Sequence, residues 1–106
     1  MSSNIHKVLK QLKKELLRIY GENIDHVILY GSRARGDARD DSDIDILVVM
    51  KNDFNYSEAL RLSSKIIASL SLENDTVISR AFVTKAQYEQ LQIPFLMNVR
   101  REGITV

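Results

Sequence analysis

Tyr30 to Met50 reads YGSRARGDARDDSDIDILVVM, a Gly-Ser turn, two arginines and a dense group of aspartates placed directly before an apolar run. Ile44 to Met50 is short, rich in β-branched residues and free of Gly and Pro, which predicts a buried strand. Side chains alternate along a strand, so Asp43, Asp45, Leu47 and Val49 fall on one face and Ile44, Ile46, Val48 and Met50 on the other. Two carboxylates therefore project side by side from the start of a strand that is otherwise core. Ionised carboxylates in such a place are costly unless they are paired or coordinate a cation. A shared divalent ion is the simplest resolution, and Mg²⁺ is the ion that prefers few carboxylates plus substrate phosphates. Asp37, Asp40 and Asp41 read instead as ordinary turn residues.

The segment ahead of that strand excludes the better-known ligand loops. Gly31 and Gly36 have the outer spacing of a P-loop, but Asp37-Ala38 stand where Lys and Ser/Thr are required. No G-x-G-x-x-G is present. Asp41, Asp43 and Asp45 imitate the first ligands of an EF-hand, yet Ile46 replaces its glycine and Asn52 its closing glutamate. What remains is a strand over His26 to Tyr30, a Gly31-Ser32 turn whose N–H groups and hydroxyl can cradle phosphate oxygens, and a carboxylate pair on the next strand.

The rest of the chain supplies the cover. Ile5, Val8, Leu9, Leu12, Leu16, Ile19 and Tyr20 recur at helical spacing among Lys7, Lys10, Lys13, Lys14 and Arg18, and Gly21 ends the helix. Its basic face is either solvated or a meeting place for an anionic partner. A second long helix over Ser57 to Leu70 has Ala59, Leu62, Ile66, Ile67 and Leu70 on one side and Asn55 or Ser57 as cap. A third strand covers Val77 to Val83. Thr84 with Gln87 forms a capping box for a short helix over Ala86 to Leu91, and Pro94 opens a last helix that Gly103 closes. This order of elements predicts a single α/β (α+β) domain over residues 1–106, with a small mixed sheet covered by helices.

Composition bounds the function without naming it. The 106 residues are 44% hydrophobic and 27% charged with a net charge of +1, enough for one core and too neutral for a protein that mainly coats nucleic acid. The absence of cysteine removes disulfides, thiolate zinc and cysteine nucleophiles, and suits a reducing cytoplasm. No apolar run reaches membrane-spanning length.

Gly31-Ser32 followed, after Arg33 to Ser42, by Asp43-Ile44-Asp45 resembles the signature of the nucleotidyltransferase superfamily of DNA polymerase beta. The flanks, GSRARG and SDIDILVV, look most like the minimal nucleotidyltransferases. The resemblance implies transfer of a nucleoside monophosphate, AMP in particular, from an NTP such as ATP to a hydroxyl. Two Mg²⁺ ions would be held by Asp43 and Asp45, Gly31 and Ser32 would hold the outer phosphates, and Arg33 or Arg35 would meet the leaving pyrophosphate. Arg35 reads equally as a solvated loop residue. The superfamily's third carboxylate comes from a later strand. Asp75 is the acid available at the start of the third strand, sharing a face with Val77, Ser79, Ala81 and Val83, and Ser79 is the alternative position. Small members often stand beside a HEPN-type helical protein as the antitoxin of a pair. This leaves two readings, an enzyme that modifies a partner and a catalytically weak domain that masks one. The apolar Tyr88, Leu91, Ile93, Phe95, Leu96, Met97 and Val99 exceed what one buried stripe requires, so the C-terminal helices either complete the core or meet a second chain, another copy or a helical partner.

Overall fold

Ile44–Met50 forms the expected strand, β2, and apart from the half-buried Asp45 every one of its residues is buried. It is the pivot of the computed structural model, which describes residues 3–39 and 41–106; Asp40 lies outside the described residues. β2 runs antiparallel to β1 (Ile24–Tyr30) and parallel to β3 (Ile78–Thr84), and a two-residue strand, β4 (Ile104–Thr105), lies antiparallel on β1, giving the order β3-β2-β1-β4. The mixed sheet is covered on both faces. One face, with Val27, Leu29, Ile44, Ile46, Val48 and Met50, packs against α1 (Ser3–Tyr20) and α3 (Tyr56–Glu73). The other, with Ile28, Leu47 and Val49, packs against Leu96 and Val99 of α5 (Pro94–Glu102), with Tyr88 of α4 (Lys85–Gln90) at its margin. Burial on both sides is why β2 reads as an uninterrupted apolar run.

The punctuation works locally as its residue types require. Gly21 takes a φ of 60° where α1 ends, a conformation that only glycine adopts at little cost. Asn55 caps α3, its side chain accepting from the Glu58 N–H at 2.9 Å. In the Thr84/Gln87 box, Thr84 Oγ1 accepts from the Gln87 N–H and Gln87 Oε1 from the Thr84 N–H. Pro94 sits in the first turn of α5.

Two features differ from the sequence-based expectation. The core face of α3 holds Ala59, Ser63, Ile67 and Leu70, while Leu62 is exposed and Ile66 only half-buried. The cause lies on β3. Arg80 stands on the side of the sheet that α3 covers, and its guanidinium donates to Ser63 Oγ (2.9 Å), the Leu60 carbonyl (2.9 Å) and Ser64 Oγ (3.1 Å), so the helix turns hydroxyls toward the sheet there. The second difference is β4, a fourth strand where the sequence pattern predicts three. Ile104 and Thr105 pair with Leu29 and Ile28, and the Val106 N–H donates to the Val27 carbonyl at 2.9 Å. Gly103 makes this return feasible because a Cβ there would stand 2.5 Å from both Ile28 Cγ2 and the Val99 carbonyl oxygen. Among the described residues no helix is long and apolar enough to cross a membrane.

Leu96 is fully buried and Leu72 is 85% exposed, so the two test the layering directly. Leu96→Ala is expected to cost about 2–5 kcal/mol of unfolding free energy in urea titration, and Leu72→Ala to stay within about 0.5 kcal/mol of the parent.

Candidate active site

Where β1 leaves the sheet, Gly31 has φ 75° and ψ −159°, a region essentially reserved for glycine. Tyr30, the residue before it, is the cross-strand partner of Asp45. This register lays the backbone of Gly31 against the carboxylate: a Cβ on Gly31 would be 2.5 Å from Asp45 Oδ2. The glycine and the second aspartate of the motif, fourteen positions apart in the chain, are thus in contact in space.

From Gly31 the chain makes a single helical turn, α2 (Ser32–Arg35), in which the Ala34 and Arg35 N–H groups donate to the Gly31 carbonyl, and Gly36 closes it at φ 85°. The turn sends its two arginines to different places. Arg33 donates through Nε (3.2 Å) and Nη2 (2.9 Å) to the carbonyl of Ser42, one residue before Asp43. Ser42 in turn accepts from the Arg39 N–H on its Oγ and donates its own N–H to the Arg39 carbonyl. The aspartate-rich loop is therefore tied to α2 by Arg33. Arg35 pairs with Asp37 (3.3 Å) and, across the fold, with Glu102 at the end of α5 (3.5 Å).

Asp43 is exposed and Asp45 half-buried. Burial, and then the negative charge of Asp43, push the Asp45 carboxyl above the ordinary carboxylate range, and the positive charge of Arg35 partly opposes them. Tyr30 is also raised, by burial and then by Asp45, and its ring meets Phe95 edge-on with centroids 5.3 Å apart. Beside Asp45 on the β3 side the registered residue is Ser79.

Asp75 is placed otherwise than expected. The third strand begins at Ile78, and Asp75 lies in the turn before it, exposed, with φ 47°. The chain is still leaving α3 there, the Asp75 N–H donating to the Leu72 carbonyl and the Thr76 N–H to that of Ser71. Asp75 lines a polar pocket of about 300 Å³ with Asn4, Arg33 and Ile44, and Ile44 belongs to the face of β2 opposite Asp45. The structure brings together Gly31, Asp43, Asp45 and Arg35, and leaves Asp75 and the Arg33 guanidinium toward the other side. Among the described residues no three His, Cys, Asp or Glu side chains gather as a metal-holding group. Glu102 and Phe95 are the neighbours that the motif did not reveal; they come from a helix more than fifty residues downstream, and no local pattern links them to Gly31 or Arg35.

Comparison with known proteins identifies the family and the fold. The profile of the family described as "Polymerase beta, Nucleotidyltransferase" matches residues 6–105, so the chain belongs to the polymerase beta nucleotidyltransferase family. Among curated relatives, a "Putative protein adenylyltransferase" of Methanocaldococcus jannaschii is 32% identical over 102 residues, covering 96% of this chain and 98% of the relative. A second one from that organism is 31% identical over 100 residues, covering 94% and 95%. A crystal structure of "a putative nucleotidyltransferase from Sulfolobus solfataricus" has a TM-score of 0.59 at 23% identity, covering 99% of this chain and 86% of that one. A mutant of the toxin-antitoxin MntA-HpeT has a TM-score of 0.63 at 20% identity, covering 92% and 70%, and a toxin-antitoxin structure with AMP-PNP has a TM-score of 0.59 at 20% identity, covering 91% and 70%. At these identities the solved structures establish the shared fold.

Two measurements test the geometry. Gly31→Ala is strained and strikes Asp45, whereas Gly36→Ala meets nothing within 4 Å. In urea titration Gly31→Ala is expected to lose about 1–3 kcal/mol from backbone strain and more from the displaced carboxylate, and Gly36→Ala to lose about 1–2 kcal/mol from its left-handed φ alone. The raised Asp45 carboxyl means that the folded chain holds a proton there more firmly than the unfolded chain does. Its ionisation therefore lowers stability as pH rises from the ordinary carboxylate value through the folded one. In metal-free buffer Asp45→Asn should melt above the parent at pH 7, and the difference should vanish below the ordinary carboxylate range.

Proposed function

We propose that this protein is a Mg²⁺-dependent nucleotidyltransferase that transfers AMP from ATP to a hydroxyl on a partner protein. The observation that carries the reading is the packing of the Gly31 turn on Asp45, because it sets a phosphate-cradling backbone beside a carboxylate pair. The donor set fits the ion: two hard oxygen ligands, one raised by its partial burial and then by the charge of the other, form a site whose excess negative charge a divalent cation would relieve. Mg²⁺ held by Asp43 and Asp45 would supply neutralisation of the triphosphate and activation of the acceptor hydroxyl.

The chain's own residues do the rest by positioning and electrostatics. The Ser32 hydroxyl and the backbone of the Gly31-Ser32 turn hold the outer phosphates. The acceptor oxygen forms a bond to the α-phosphorus as the bond from that phosphorus to the pyrophosphate oxygen breaks, pyrophosphate leaves with that bonding pair, and the hydroxyl proton passes to solvent water. Arg35, held beside Asp45 by Asp37 and Glu102, meets the pyrophosphate as its charge develops. Arg33 acts one step removed, fixing the Ser42 carbonyl and with it the approach of Asp43. A partner that brings the hydroxyl is supported by the names of the relatives and by the toxin-antitoxin neighbours. Leu91, Ile93, Phe95 and Met97, each 38–46% exposed on or next to the helix that stacks on Tyr30, offer it an apolar seat. A HEPN-type helical protein suits that seat.

A second reading is favoured by one observation: the residue registered beside Asp45 on β3 is Ser79, not an acid. A domain with two carboxylates alone would bind nucleotide and partner while turning over slowly, acting as an antitoxin by masking.

Incubation with Mg²⁺ and α-labelled ATP, with and without the product of the neighbouring gene, separates the two. The enzyme reading predicts label on the partner, lost by about 10²-fold or more in Asp43→Asn and in Asp45→Asn. Tight partner binding with no transferred label supports masking, and metal-dependent ATP affinity unchanged in both mutants would sink the site assignment.

A further inference from the structure

The basic helix that opens the chain borders a groove that the transfer chemistry does not use. α1 and the terminal strand enclose about 620 Å³, and none of the lining residues belongs to the Gly31–Asp45 site. The floor is apolar: Leu9, Leu17, Ile104 and Val106 line it, and Leu17 and Ile104 remain 43% and 39% exposed. The rim is cationic, with Lys10, Lys13 and Lys14 on the helix side and no Asp or Glu side chain among the described lining residues. Lys13 donates to the Val106 carbonyl at 2.6 Å, which ties the helix to the end of the strand and leaves two further ammonium protons. From His6 to Leu17 the groove follows α1 for about 16 Å, three helical turns.

An apolar trough of that length with a positive border selects its occupant by charge and shape. A second copy of the chain would bring the same lysines face to face, and like charges juxtaposed across an interface oppose association. A lipid surface is flat on this scale, whereas the apolar floor is recessed between a helix and a sheet edge. We infer that the groove docks an acidic amphipathic helix of a partner protein, with apolar side chains at i, i+3 or i+4, and i+7 on the floor and flanking Asp or Glu against Lys10 and Lys14. The inference is independent of the nucleotidyltransferase reading, and it gives the basic face of α1 a role other than solvation.

The test uses the full chain and a stapled helical peptide of three to four turns, with Leu on one face and Glu on both flanks, followed by fluorescence anisotropy. The peptide is expected to bind at least tenfold more tightly than a scrambled version of the same composition, and to weaken as salt rises. Lys10→Glu/Lys14→Glu and Leu17→Asp, all at the surface, should each weaken it about tenfold or more, the equivalent of about 1.4 kcal/mol. Amide shifts should change at residues 6–17 and 104–106. Both variants should keep the parent's melting temperature and its binding of labelled ATP, so that failure here is distinguishable from failure of the nucleotide site. The inference is overturned if the peptide does not bind, if the scrambled peptide or the charge-reversed variant binds as well, if phosphatidylserine vesicles are bound in place of the peptide, or if light scattering shows a dimer that Leu17→Asp dissolves.

Discussion

The backbone of Gly31 lies against the carboxylate of Asp45 because Tyr30 and Asp45 are cross-strand partners, and the arrangement of the site depends on that one contact. The register between β1 and β2 cannot slip by a single residue without turning the buried side chains of one strand to the wrong face. With Val27 and Leu29 packed under α1 and α3, and Ile28 under α5, the two helical layers hold the register from opposite sides. The contact at the mouth of the sheet is therefore held by apolar packing some distance from it.

The same layering explains why the carboxylates are tolerable. β2 is buried along its length except where it enters the sheet, and Asp43 and Asp45 occupy that entrance. One step further along, on the same face, Leu47 is fully buried. Asp45 is consequently half-buried, crowded by Asp43 and relieved only in part by Arg35. A carboxylate in that condition costs the fold stability, and a perturbed group at the mouth of a sheet marks a candidate functional site. Arg35 joins this balance to the end of the chain through Glu102, so α5 both covers the sheet and orients a charge at the site.

Arg80 and Arg33 show a different use of arginine. Both donate to backbone carbonyls, Arg80 to Leu60 of α3 and Arg33 to Ser42 of the aspartate-rich loop, and each ties together two segments distant in the chain or different in structure. A planar, permanently charged donor suits this role because its several N–H groups reach carbonyl and hydroxyl acceptors from one position.

Much of the molecule was legible in the sequence because it rests on local pattern: the β-branched run of β2, the heptad-like stripe of α1, the Thr84/Gln87 box, Pro94, and the spacing from Gly31-Ser32 to Asp43-Ile44-Asp45. These features follow from backbone geometry and side-chain period, which act over a few residues. The tertiary structure alone decided the remainder. Ser63 replaced Leu62 on the inner face of α3 because Arg80, seventeen residues on, reaches that position. Asp75 fell in a turn because α3 runs to Glu73 and the strand starts only at Ile78, which puts Ser79 beside Asp45. Ile104 and Thr105 became a strand by finding the free edge of β1, and Glu102 became a neighbour of Arg35 by the path of α5 across the sheet. Each of these contacts joins residues distant in the chain, and no local period encodes them; they exist because the packed sheet brings the segments to the same place.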